Sequence, residues 1–242
     1  MNGISAASGG EAVFYAIGDV HGRDDLLARM HDVIRGHHAA HHAERRGVMV
    51  YLGDYVDRGP DSRAAIDRVM RGIEDFESVC LMGNHEAMML DCLQRPGSLC
   101  WAGWLSNGGG DTLASFGIAP AFDGEDPERL KAALGPERLT WLRALRLSWH
   151  ANGYLFVHAG IRPGVPLDAQ DPDDLLWIRD DFLCSTADHG VTVVHGHTPV
   201  QAPARRSNRI ALDTGAVFSG VLSAAALVPA APPVFLQASE TA

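Results

Sequence analysis

What this 242-residue chain lacks narrows its class before any motif is read. Its four cysteines, Cys80, Cys92, Cys100 and Cys184, are spaced for neither a zinc knuckle nor a small disulfide framework. Reduced thiols in a cytoplasmic enzyme are the reading that follows. No apolar run reaches the ~18 residues that a membrane span needs, so no membrane partner is expected. Met1 to Glu11 is small and polar, with no basic stretch leading into an apolar one, so no signal peptide is read. Positive charge is short as well. The formal charge is −10, whereas a nucleic-acid polymer calls for a basic stripe that releases counterions. A short glycine run, Asn107 to Gly110, has no Lys-Ser/Thr after it and so is no nucleotide-binding P-loop.

What the chain does have is a sizeable apolar fraction, 46%, enough for one α/β domain. The domain is expected over residues 12–238, with mobile termini at 1–11 and 239–242. Val13 to Ile17, Val48 to Leu52 and Val79 to Met82 read as buried strands, each ending in glycine. Each precedes a polar loop and then a helical pattern. The first helix starts near Asp24, with Leu26, Leu27, Met30, Val33 and Ile34 on one face. The second starts near Pro60, and the third covers His85 to Leu93. Strand, loop and helix in alternation predict parallel strands with crossover helices, and open α/β sheets place their sites at the carboxyl ends of such strands. Residues 95–147 read instead as a helical insertion, with helical patterns near Pro127 to Leu134 and Pro136 to Leu145. Asn152-Gly153 predicts a tight hairpin between Leu147–His150 and Tyr154–Val157. Later strands are expected near Thr192–Val194, Ile210–Leu212, Val221–Val228 and Val234–Leu236.

Five polar clusters stand at strand ends: Gly18-Asp19-Val20-His21-Gly22, Gly53-Asp54-Tyr55-Val56-Asp57-Arg58-Gly59, Gly83-Asn84-His85-Glu86, His158-Ala159-Gly160 and His195-Gly196-His197-Thr198. Asp, His and Asn without cysteine suit manganese, iron or zinc. Two such ions side by side need a shared carboxylate, which several converging loops can supply.

In this order the five clusters resemble the serine/threonine phosphoprotein phosphatase family of the calcineurin-like metallophosphoesterases, most of all its short bacterial and phage members. The resemblance runs from about Tyr15 to Thr214. It implies a fold of two mixed β-sheets packed face to face, with helices outside. It implies two divalent ions, manganese first, with iron or zinc as alternatives. Asp19 and His21 would hold the first, Asp54 would bridge both, and Asn84, His158 and His197 would hold the second. A metal-bridging hydroxide would attack phosphorus directly, and His85, oriented by Asp57, would protonate the leaving oxygen. Arg58 and Arg179 would bind the phosphate oxygens. The implied activity is hydrolysis of phosphomonoesters on serine, threonine or tyrosine side chains of proteins. One alternative is a symmetrical bis(5'-nucleosyl)-tetraphosphate hydrolase, whose second motif lacks an aspartate before the arginine. Another, from a different class, is a metal- or phosphate-binding scaffold without turnover.

Some residues carry competing readings. His195 rivals His197 as a ligand, and the Gly-His-Thr pattern favours His197. Glu86 reads as a first-turn helix residue favourable to the helix dipole rather than as a catalyst. Trp101, Trp104 and Asn107 to Asp111 either border the substrate groove or pack the insertion. His37, His38, His41 and His42 have i, i+4 spacing suited to a metal clip, but no glycine loop or carboxylate supports them. They are expected to cover the core (His37, His41) and to flank it in solvent (His38, His42).

Overall fold

The computed structural model describes residues 12–95, 99–119 and 126–240. The expected mobile segment 1–11 lies outside these residues.

Among the described residues, ten strands form two five-stranded sheets. The first has the order β10-β9-β1-β2-β3. It contains β1 (Ala12–Ile17), β2 (Arg46–Tyr51) and β3 (Glu77–Cys80), all parallel, with β9 (Val221–Leu227) antiparallel to β1 and β10 (Val234–Ser239) antiparallel to β9. The second has the order β4-β5-β6-β8-β7. Here β5 (Tyr154–Val157), β6 (Thr192–His195) and β8 (Arg209–Ala211) run parallel, and β4 (Ser148–Ala151) and β7 (Ala204–Arg205) close the edges in antiparallel fashion.

Alternation along β1 shows why the sheets stack. Ala12, Phe14 and Ala16 face the second sheet and meet Tyr154, Phe156, Val194 and Ile210. Val13, Tyr15 and Ile17 face the other way. There they pack on α1 (Asp24–His41) and α2 (Ser62–Arg71), which contribute Leu26, Leu27, Met30, Ile34, Ala65 and Val69. Both faces of the strand are dry, so it carries the continuous apolar run that parallel strands show. Burying each large aliphatic side chain contributes about 1.5–3 kcal/mol.

After α3 (Asn84–Gln94) the chain forms α4 (Leu99–Trp104), a π-helical turn over Leu105–Gly109, α5 (Gly110–Ser115) and α6 (Asp126–Arg143). These build a core of their own around Met89, Trp104, Leu113, Leu130 and Leu142. Gly135 breaks α6 with a non-helical backbone, in the gap between the two helical patterns of the sequence. At its far end this excursion returns to its start: Met82 N–H donates to Arg146 O (2.8 Å) and Arg146 N–H to Cys80 O (3.2 Å). On the outer face of the second sheet lie α7 (Pro172–Trp177) and α8 (Asp180–Leu183), with α9 (Ala216–Ser219) just before β9.

Several local expectations need adjustment. Pro60 lies outside α2, whose cap is Asp61; its carboxylate accepts from Ala64 N–H at 2.8 Å. Asp competes for the cap because it can accept where proline can only stiffen. Asn152 and Gly153 both have positive φ, the conformation of a two-residue hairpin turn. The tail expected from residue 239 is held at first, since Arg29 donates to the carbonyls of Ser239 (2.7 Å) and Glu240 (2.9 Å). Among the described residues no helix is long and apolar enough to cross a membrane.

Candidate metal centre and active site

The carboxyl ends of β1, β2, β3, β5 and β6 each release one of the five polar clusters, and all five loops meet on one edge of the sandwich. Asp54 sits at their centre. Its Oδ2 lies 3.5 Å from His21 Nε2 and 3.4 Å from His158 Nε2. Two groups of metal-capable atoms share it: His21, Asp54 and His85, and Asp54, His158 and His197. Asn84 Oδ1 lies between the last two imidazoles, 2.8 Å from His158 Nε2 and 2.9 Å from His197 Nδ1. Asp19 lies just outside these groups, where its carboxylate accepts from the His197 backbone N–H at 3.0 Å.

The backbone is bent to bring these side chains together. His21, Asp54, Asp57, Arg58 and His197 all have φ between 44° and 71°. A non-glycine residue rarely adopts that region, and such strain gathers at sites over-determined by their surroundings. Gly83 shows how tight the packing is: a Cβ there would overlap Asp54 Oδ1 and the Asp54 backbone N.

Imidazole orientation is fixed from behind. His21 Nδ1–H donates to Val56 O at 2.8 Å and His158 Nδ1–H to Leu52 O at 2.9 Å. Each ring therefore turns Nε2 inward, as metal-binding histidines do. His197 Nε2 is buried without a hydrogen-bond partner. Burial, then the neighbouring His158, lowers the His197 pKa to about 3. Burial likewise lowers His21 to about 4, against the pull of Asp54. His158 differs. Burial disfavours its charge, but Asp54 and Asp19 outweigh this and push it up to about 10. Burial also works against the charge on Asp54, yet His158, His85 and His21 hold its pKa well below the usual range. Neutral imidazole nitrogens, an orphaned buried nitrogen and a shared carboxylate make a donor set that fits divalent ions.

Beside this cradle lies a second, fully buried cluster. His85 Nδ1–H donates to Asp57 Oδ2 at 2.7 Å. Trp104 Nε1–H donates to the same oxygen at 2.8 Å, and Thr112 Oγ1–H to Asp57 Oδ1 at 2.6 Å. Arg58 is exposed but reaches inward, with Nη1 2.9 Å from His21 Nε2. Arg179 is exposed just before α8, close enough that its charge helps to lower the His197 pKa.

The rival readings separate on geometry. The His195 ring stands edge-on to Phe182 at 5.1 Å, among the apolar residues outside the second sheet, whereas His197 joins Asp54 and His158. Glu86 lies in the first turn of α3, as the sequence predicts, and does more there than favour the helix dipole. It is wholly buried and accepts from four backbone N–H groups, those of Asp54, Tyr55, Val56 and Gly83, at 2.7–3.1 Å. It thereby holds the Asp54 loop against α3. Its position after Asn84-His85 was the only signal in the sequence. The roles of Trp104 and Thr112 had no local signal, since they lie 47 and 55 residues from Asp57. Of the histidine cluster on α1, His37 covers Tyr15 and bonds its hydroxyl at 3.0 Å, while His41 is exposed rather than part of the core cover.

Sheets and site together define a metallophosphoesterase, a hydrolase of phosphate esters. The chain belongs to the calcineurin-like phosphoesterase family, whose model matches residues 12–220. Serine/threonine-protein phosphatase 1 of Salmonella typhimurium is 29% identical over 219 residues, which are 87% of this chain and 90% of that protein. A symmetrical bis(5'-nucleosyl)-tetraphosphatase of Nitrosomonas europaea is 32% identical over 149 residues, 62% of this chain but only 45% of that protein. Among solved structures, a chain provisionally described as a diadenosine tetraphosphatase superposes with a TM-score of 0.66 at 20% identity, covering 96% of this chain and 100% of that one, which speaks to the fold.

Proposed function

We propose that this protein is a phosphoprotein phosphatase that hydrolyses phosphomonoesters of serine and threonine. The observation that carries this reading is the buried Asp57–His85 pair, 2.7 Å apart, with Arg58 next in sequence. Asp19, His21, Asp54, Asn84, His158 and His197 would hold two divalent ions, manganese first. When bound, these ions would lower the pKa of water toward neutrality and polarise the phosphoryl oxygens.

The chain's own residues would do the rest. Arg58 and Arg179 would pair with phosphate oxygens, and a planar guanidinium suits that task. The pocket would thus attract a dianion although the whole chain carries −10. His85, with Nδ1–H committed to Asp57, would give the proton on Nε2 to the leaving oxygen. General acid catalysis of this kind contributes typically ~10²–10⁴-fold.

Identity of 29% across 90% of the Salmonella phosphatase supports the phosphoprotein reading. The second reading, symmetrical cleavage of a dinucleoside tetraphosphate, draws on the higher identity of that partial match. A panel assay of manganese-loaded protein decides between them. It compares peptides bearing phosphoserine, phosphothreonine or phosphotyrosine with aryl phosphate, diadenosine tetraphosphate and cyclic nucleotides. Faster turnover of phosphoserine and phosphothreonine peptides is expected; faster release of ADP from the tetraphosphate would reverse the assignment.

A further inference from the structure

The Asp57–His85 pair is closed off by residues from the helical excursion, not by the strand-end loops. Both oxygens of the Asp57 carboxylate are spoken for. Oδ2 accepts from His85 Nδ1–H and Trp104 Nε1–H, and Oδ1 accepts from the Thr112 hydroxyl. The backbone is gripped as well. Asp57 N–H donates to Thr112 Oγ1 at 2.9 Å and Ser62 Oγ at 3.0 Å, and Arg58 N–H donates to Gly108 O at 3.2 Å. Asp57, Trp104 and Thr112 are each 1% exposed or less.

This grip matters because Asp57 and Arg58 are both in the left-handed region, at φ 71° and 69°. Two consecutive non-glycine residues do not stay there without outside support. The support comes from the π-helical turn. Gly108, itself at φ 102°, lies so close to Arg58 that a Cβ would come within 2.7 Å of the Arg58 backbone N. The turn thus brings Gly108, Trp104 and Thr112 onto one two-residue segment.

We infer that Trp104 and Thr112 are positioning residues for phosphoester cleavage: they hold the Asp57 carboxylate in the one orientation that aims His85 at the leaving oxygen. This rests on the reading of His85 as the proton donor. A carboxylate can rotate about its Cβ–Cγ bond, and His85 turns with it. Donors on both oxygens remove that freedom. A fixed donor then loses nothing to reorientation at the moment of proton transfer, and a misplacement of about 1 Å can cost ~10²-fold.

The role has a signature that loss of fold or metal does not share. Proton donation matters for a poor leaving group such as a serine alkoxide, and hardly at all for a phenolate made stable by nitro groups. Turnover is therefore measured in manganese-loaded protein across a series from alkyl phosphates to nitrophenyl phosphates. Trp104→Phe keeps the ring and removes the N–H; Thr112→Val keeps the shape and removes the hydroxyl. Each is expected to slow alkyl phosphates about tenfold or more and dinitrophenyl phosphate less than about threefold. Thr112→Ser, which retains the hydroxyl, should follow the parent. His85→Asn is run alongside. If it shows no dependence on leaving group, the proton-donor reading fails and this inference fails with it. If His85→Asn shows the dependence while Trp104→Phe and Thr112→Val slow every substrate equally, this inference alone is overturned.

A second measurement does not depend on activity. The Trp104 indole N–H resonance in ¹⁵N-labelled, metal-free protein should stand downfield of the other four tryptophans and move upfield in Asp57→Asn. No displacement by Asp57→Asn would overturn the assignment of that carboxylate as the acceptor.

Discussion

Two parts of the site are built on different plans. The metal cradle comes from strand ends: short loops framed by glycines and tied to one another through the backbone, as His21 to Val56 O and His158 to Leu52 O. The Asp57–His85 cluster is closed by side chains from another layer, across 47 to 55 residues of chain. The cradle collects charges and the cluster collects neutral donors. On the roles proposed above, ion binding and proton transfer would draw on different layers of the fold, joined through Asp54 and His85, which share one group of metal-capable atoms.

That separation can be broken or sharpened experimentally. Asp54→Asn should have the largest effect, because this carboxylate belongs to both groups of ligand atoms. Activity should fall by roughly 10⁴-fold or more, with loss of bound metal by elemental analysis. His85→Asn should leave metal content unchanged and lower turnover by roughly 10²–10⁴-fold. Equal metal loss in both variants would show that the two parts are one. Gly83→Ala lies on the seam between them. Its Cβ would push on the Asp54 carboxylate, and a shift of that kind should cost about 10²-fold in turnover.

Acid and base should affect the two parts differently. Burial opposes the proton on His158, but Asp54 and Asp19 win and push its pKa up to about 10. Its pKa is raised on folding. So in the metal-free protein its stabilising contribution is full below about pH 6.5 and is lost as pH rises through about 10. An ion must displace that proton. Metal affinity should therefore increase with pH between about 6.5 and 10, by up to about tenfold per unit, with proton release measurable by titration calorimetry in buffers of different ionisation enthalpy. Trp104→Phe should leave this linkage unchanged. His195→Leu is the smallest change. Its ring lies outside the cradle, so metal content and turnover should stay within about threefold. Burial lowers the pKa of His195 to about 4, so the stability it secures as a neutral group is present above about 6.5 and lost as pH falls toward 4. Denaturant melts of the variant should show a shallower acid slope, by on the order of 1 kcal/mol per pH unit.

The cradle was legible in the sequence for a physical reason. A loop that turns sharply at a strand end needs glycine beside its ligands, so Asp19, His21, Asp54, Asn84, His158 and His197 are each framed by a local pattern. The hairpin at Asn152-Gly153 and the break at Gly135 were legible for the same reason, since both are backbone events. Glu86 was placed correctly in the first turn of α3, but its grip on the Asp54 loop was not legible, because its four partners are backbone N–H groups, which leave no mark in composition. Trp104 and Thr112 looked like packing residues because nothing local distinguishes a buried indole that donates from one that only fills space. The short β7 and α9 have too few residues to show a period. His197 over His195 rested on a motif; the physical difference, one ring inward and the other against Phe182, arises because β6 ends at His195 and the chain turns at His197 (φ 63°), which breaks the rule that residues two apart on a strand share a face.

The return of the chain at Arg146 to the end of β3 gives the helical excursion the character of a cassette. Its entry and exit are latched together by two backbone hydrogen bonds at the end of β3. Lengthening such a loop costs little, about 0.6 kcal/mol per doubling. The cassette's outer helices can therefore change in length at little cost to the sandwich. One restriction remains: the Asp57 carboxylate takes its Trp104 and Thr112 donors from the cassette, so any altered cassette must still deliver donors to both of its oxygens.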